Sequence, residues 1–106
     1  EKIAQGYLKS QDYEILKNNF YTKRGEIDII AKKENCIVFV EVKTRSGFEY
    51  GTPAMAVDGL KKKHLKSSAS IYLYQNKLYK YDIRFDVVEI IINNGKCKVN
   101  HIKGIM

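Results

Sequence analysis

The chain has 106 residues, enough for one domain with a buried core that needs neither disulfides nor a structural metal. Hydrophobic residues make up 44% and charged residues 29%, with one Pro and seven Gly, which excludes extended disorder and a long flexible linker. The 19 Lys and Arg exceed the 12 Asp and Glu to leave a net charge of +7, which favours a polyanionic partner without specifying one.

Ile3, Ala4, Tyr7 and Leu8 recur at helical spacing and predict a first helix over residues 1–10, fraying at Ser10, Gln11 and Asp12. A short strand follows from Tyr13 to Asn18, then a turn drawn from Asn18, Asn19 and the Lys23, Arg24, Gly25 cluster. Residues 26–31 (EIDIIA) and 36–43 (CIVFVEVK) both have strand composition and should form a hairpin.

With Glu34 and Asn35 at its tip, Lys33 faces Cys36, and counting back pairs Ala31 with Val38, Ile29 with Val40 and Ile27 with Val42 on one apolar face. The same register sets Ile30 opposite Phe39, Asp28 opposite Glu41 and Glu26 opposite Lys43 on the other. A slip of one residue would mix the two sets, so burial specifies the register.

Residues 47–51 are turn-like, and Thr52 with Pro53 reads as an N-cap and first helical position. Val57, Leu60, His64 and Ile71 carry that second helix to about Tyr74, with Lys61, Lys62, Lys63 and Lys66 crowding its middle. Gln75 to Asp82 is a Tyr-rich connection, residues 84–92 (RFDVVEIII) are the strongest strand, and Asn94-Gly95 turns the chain into a last strand, 96–102.

The order is helix, three strands, helix, two strands, in a single domain spanning residues 1–106. No internal repeat interrupts it. Cys36 and Cys97 match neither CxxC spacing nor a disulfide framework; a reducing, cytoplasmic location with both as buried small apolar side chains is the simpler expectation. No apolar run reaches the length of a membrane span.

Two carboxylates directly across an antiparallel pair stand about 4.5–5.5 Å apart at Cβ and repel, so a compensating cation is expected. Mg²⁺ or Mn²⁺ suits the position, since Mg²⁺ takes one or two carboxylates with water and phosphate at its remaining sites. An isolated ExK is by itself usually a solvent-facing strand edge. Here Ile37 and Phe39 share the face of Glu41 and Lys43, which gathers the charges at one end of a partly covered surface.

The stretches GEIDIIA and CIVFVEVKTR, the helix carrying Lys61, Lys62 and Lys63, and RFDVVEI resemble the YraN-like family, bacterial proteins related to archaeal Holliday junction resolvases. The resemblance implies an α/β (α+β) fold with the restriction-endonuclease-like core of the PD-(D/E)xK nucleases, built on a mixed central sheet. It places the metal-binding Asp on Asp28, the second acid on Glu41, the lysine on Lys43 and the first-helix acid on Glu1. The superfamily's Pro before the Asp is Ile27 here.

The implied activity is metal-dependent hydrolysis of phosphodiesters, in DNA rather than RNA and with branched DNA as the candidate substrate, by a protein that acts as a homodimer. The competing function is a non-catalytic nucleic-acid-binding or adaptor domain that keeps the fold.

Around this centre, Lys61, Lys62, Lys63 and Lys66 are either phosphate contacts or a solvated helix face. Glu26 reads as a salt partner of Lys43 rather than a metal ligand, and His64 as a core or boundary residue. Arg84 and Asp86 suit a structural ion pair as well as a functional role. The tyrosines at 72, 74, 79 and 81 are expected to pack rather than to stack on bases.

Overall fold

The computed structural model describes residues 1–46 and 59–106. Its elements run α1 (Lys2–Ser10), β1 (Glu14–Thr22), β2 (Gly25–Lys33), β3 (Cys36–Ser46), α2 (Gly59–Gln75), β4 (Asp82–Asn93) and β5 (Lys96–Ile102). The strands form one five-stranded sheet in sequence order. All neighbours are antiparallel except β3 and β4, which are parallel and joined through the crossover that contains α2. The predicted element order and mixed sheet are those observed, whereas the expected turn at 47–51 and the Thr52–Pro53 helix start lie outside the described residues.

A helix covers each face of the sheet. On one face Ala4 and Leu8 of α1 join Ile29, Val38, Val40 and Val88 in a buried cluster. On the other, Leu65, Ala69 and Tyr72 of α2 pack with Ile30, Phe39 and Phe85. The Phe39 ring stacks on Phe85 at 5.3 Å and meets Tyr72 edge-on at 6.3 Å, the geometries that aromatic quadrupoles favour. Cover on both faces explains why β3 opens with an unbroken apolar run, IVFV, and corrects the expectation of one apolar and one partly solvent-facing side.

The β2–β3 register is the predicted one from Lys33↔Cys36 to Ile29↔Val40, and there it stops. The expected pairs Ile27–Val42, Asp28–Glu41 and Glu26–Lys43 are absent from the ladder. Ile27 instead packs on the α2 side with Ile30, while Ile29 faces α1. Strict alternation therefore breaks at Asp28. On the neighbouring strand Asn19 takes φ 53°, and its pairing with Asp28 is likewise missing between Asn18↔Ile29 and Phe20↔Ile27.

Three further expectations change. β1 does not end at Asn18 but continues to Thr22, because Phe20 packs against the α2-side core and the turn falls between Thr22 and Gly25. Cys97 is exposed, since it sits on edge strand β5 away from both helices, and Cys36 is half-buried. Tyr72 is buried and Tyr81 packs on the core, but Tyr74 and Tyr79 are 74% and 67% exposed at the end of α2 and in the loop after it.

Candidate active site

The end of the β2–β3 ladder is filled by a side chain. Val42 N–H, the donor that a continued ladder would use, is taken by Asp28 Oδ2 at 2.7 Å. A carboxylate thus substitutes for a backbone carbonyl, the two central strands part beyond it, and Asp28 is held half-buried at the fork. Burial pushes its pKa up to about 6 against the lowering effect of Val42 N–H, and the like charges of Glu41, Glu1 and Glu26 add to the rise.

Glu41 lies on the α2 side of the fork. Its Oε1 is 3.3 Å from Lys61 Nζ, while Oε2 is buried with no hydrogen-bond partner among the described residues. A buried carboxylate oxygen without a donor is costly, which marks this atom as prepared for a cation or a further donor. Lys43, two residues along β3, is half-buried and shares the strand face of Glu41 by alternation.

The remaining acids are placed by α1 and the β1–β2 hairpin. Glu1 precedes the first turn of α1 and lies near enough to raise Asp28. Glu26 stands opposite Tyr21 in the β1–β2 ladder, and its carboxylate raises the pKa of that exposed tyrosine. Among the described residues no ion pair joins Glu26 to Lys43, so its expected role as that lysine's partner is replaced. The reason is the same break in the ladder.

Asp28 and Glu41 fit a divalent ion in donor chemistry. Both are hard oxygen ligands on adjacent strands, one has a buried oxygen without a partner among the described residues, and burial, with the charge of Glu41 adding to it, raises the pKa of the other. Among the described residues no three His, Cys, Asp or Glu side chains converge as a complete ligand set. A site of this kind suits an ion that keeps water and substrate oxygens. Of the α2 lysines, Lys61, Lys63 and Lys66 are exposed, Lys62 is half-buried, and only Lys61 is drawn into the acidic centre.

A second polar centre lies on the α1 face. Asp86, 1% exposed, accepts both Arg84 Nε and Nη2 at 2.8 Å, His101 Nε2 stands 2.7 Å from it, and Gly104 N–H donates at 3.1 Å. Arg84 also reaches the Tyr13 hydroxyl at 2.7 Å, and the Tyr7 hydroxyl lies 3.0 Å from His101 Nδ1. Burial alone would push Asp86 up, but His101, Arg84 and Gly104 outweigh it and hold the carboxyl at about 2. Arg84 and Asp86, open in the sequence to a structural or a functional use, are joined as an ion pair. Nothing in sequence spacing tied Tyr7, Tyr13 and His101 to them, since Tyr7 and His101 are 94 positions apart.

A mixed sheet between two helices, with an acid pair and a lysine at the fork of its central strands, defines the class: a small α/β domain whose polar centre lies where two neighbouring strands part. The chain belongs to the family described as Uncharacterised protein family UPF0102, whose sequence profile matches residues 1–90, and this is the YraN-like family to which the motifs pointed. It is 44% identical to a UPF0102 protein of Syntrophomonas wolfei, over 96% of this chain and 89% of that one. Relatives from Caldanaerobacter subterraneus and Clostridium botulinum strain 657 are 46% and 47% identical, over 96% and 98% of this chain and 86% and 87% of their own lengths. None of the described helices is long and apolar enough to cross a membrane.

Proposed function

We propose that this protein is a divalent-metal-dependent nuclease that hydrolyses phosphodiester bonds in DNA, with branched DNA as the candidate substrate. The observation that carries this reading is Glu41 Oε2, buried, without a partner among the described residues, and close enough to Asp28 to raise its pKa. Asp28 and Glu41 are the residues that would hold Mg²⁺ or Mn²⁺. Bound there, the ion supplies Lewis-acid polarisation of the phosphate and lowers the pKa of an attacking water.

The chain's own groups do the rest. Asp28, held at Val42 N–H, keeps β2 and β3 apart and sets the position of Glu41. Lys43 orients the attacking water or offsets the negative charge that develops on the phosphate, an interaction that strengthens in the transition state. Lys61, Lys62, Lys63 and Lys66 hold the backbone through sequence-independent contacts, consistent with the net charge of +7. A homodimer would set two such centres on a symmetric junction.

Purified protein assayed with Mg²⁺ or Mn²⁺ on linear, flapped and four-way DNA is expected to cut at least one of them. Lys43→Ala should lower the rate by about 10²–10³-fold while DNA and metal affinity persist. A wild-type rate in that variant removes Lys43 from the site. The net charge of +7 equally serves a second function, a non-catalytic nucleic-acid-binding domain. Under it, the wild type binds DNA and cuts none of the substrates.

A further inference from the structure

Beside the carboxylate fork the β1–β2 turn and α2 enclose a cleft of about 90 Å³, lined by Arg24, Gly25, Glu26, Lys61, His64, Leu65 and Ser68. Its size decides what it can hold. Small-molecule and cofactor pockets run to about 300–1,000 Å³, so this cleft is too small for a nucleotide and suits a single compact group. Its walls are cationic and polar: the Arg24 guanidinium on the turn, and Lys61 and His64 one turn of helix apart on α2.

The cleft is braced rather than incidental. The hydroxyls of Thr22 and Ser68 lie 2.7 Å apart and tie the hairpin tip to α2, with Ser68 buried. Thr22 Oγ1 also accepts Arg24 N–H at 3.0 Å, fixing the turn that carries the guanidinium. Leu65 forms a buried apolar floor. The acidic lining residue, Glu26, brings one negative charge, which the two cations Arg24 and Lys61 outnumber. Lys61 links the cleft to the fork through its 3.3 Å contact with Glu41.

We infer that this cleft is an oxyanion subsite that takes one phosphate group, with Arg24 as the planar two-donor ligand and His64 and Lys61 closing on the remaining oxygens. On nucleic acid it would hold a backbone phosphate neighbouring the one at Asp28 and Glu41. That placement rests on the nuclease proposal, whereas anion binding by the cleft does not.

The chain has two histidines, which makes ring resonances a direct probe. His101 is an internal control, because its ring is 5% exposed and held between Asp86 and Tyr7 on the opposite face of the sheet. Titrating the full chain with inorganic phosphate at constant pH and ionic strength should move the His64 ring signals saturably and leave those of His101 in place. Arg24→Ala should weaken that affinity about tenfold, the loss of a charge-assisted hydrogen bond. Arg24 is exposed and the Thr22 bond uses its backbone, so this variant keeps the turn, and an unchanged His101 spectrum verifies the fold. Absence of a His64 response, equal movement of both histidines, or unaltered affinity in Arg24→Ala would each overturn the subsite. Cleavage measured on the same preparations separates the two ideas: a specific His64 response without cutting sinks the nuclease, and cutting without that response sinks the subsite.

Discussion

Two aspartates on one sheet, Asp28 on β2 and Asp86 on β4, are both withdrawn from water and are treated in opposite ways. Asp86 is met by a guanidinium, an imidazole and a backbone N–H, and its pKa falls to about 2. Asp28 is met by one backbone N–H and three carboxylates, and its pKa climbs to about 6. The first is complete within the chain and ties α1, β4, β5 and the C-terminal residues together. The second leaves a negative centre that the fold itself destabilises. Buried charge that is satisfied internally marks architecture, and buried charge left short of donors marks a place for something from outside.

The sharpest way to break the comparison is Asp86→Asn. It removes the charge that Arg84 and His101 face, and breaking a buried pair from one side costs about 3–5 kcal/mol. Urea denaturation should show that loss at neutral pH. In the wild type the folded pKa lies below the unfolded one, so this contribution is present above about pH 4 and disappears as pH falls from about 4 to 2. A variant as stable as wild type at pH 7 would mean that the α1-face centre is not structural.

Asp28→Asn should have a smaller effect of opposite sign. The folded pKa is raised, so the native state holds a proton that the unfolded state has lost, and wild-type stability falls as pH rises from about 4 to about 6. The amide keeps an acceptor for Val42 N–H and removes the repulsion. After allowance for solvent screening a gain of about 1 kcal/mol is expected above pH 6, a rise of several degrees in Tm, with no gain at pH 4. Mn²⁺ titrated calorimetrically should bind the wild type and not Asp28→Asn. Equal binding by both would remove Asp28 from the metal site.

Tyr7→Phe should have the smallest effect. It deletes one hydroxyl from a network in which His101 keeps Asp86 as a partner, and a loss of about 0.5–1 kcal/mol is expected in the same denaturation experiment. Because the network lies on the α1 face, DNA cleavage or binding should not change. Altered nucleic-acid affinity in Tyr7→Phe would make the second centre functional as well.

Much of this protein was legible in the chain itself. The 3.6-residue spacing of Ala4 and Leu8, the two β-rich runs around Glu34-Asn35, and the Asn94-Gly95 turn are local signals, and α1, the β2–β3 register from Lys33↔Cys36 to Ile29↔Val40 and the β4–β5 hairpin follow from them. At the turn Asn94 and Gly95 take φ 51° and 75°, the left-handed values such a hairpin requires. Strand alternation likewise sets Glu41 and Lys43 on one face of β3, whereas the direct cross-strand pairing of Asp28 with Glu41 expected from the same pattern is not formed.

Tertiary structure decided what surrounds them. An alternating pattern continues through Asp28 in sequence, but only the folded sheet shows that a side-chain carboxylate takes Val42 N–H and ends the ladder there. Likewise Arg84 and Asp86 two residues apart read as a local pair. Their partners Tyr13 and His101, and Tyr7 beyond His101, come from three other parts of the chain, and contacts of that range are set by packing rather than by pattern. Periodicity reports which way a side chain points. Which donors meet it there, and hence whether it is satisfied or left waiting, depends on elements that the local sequence does not contain.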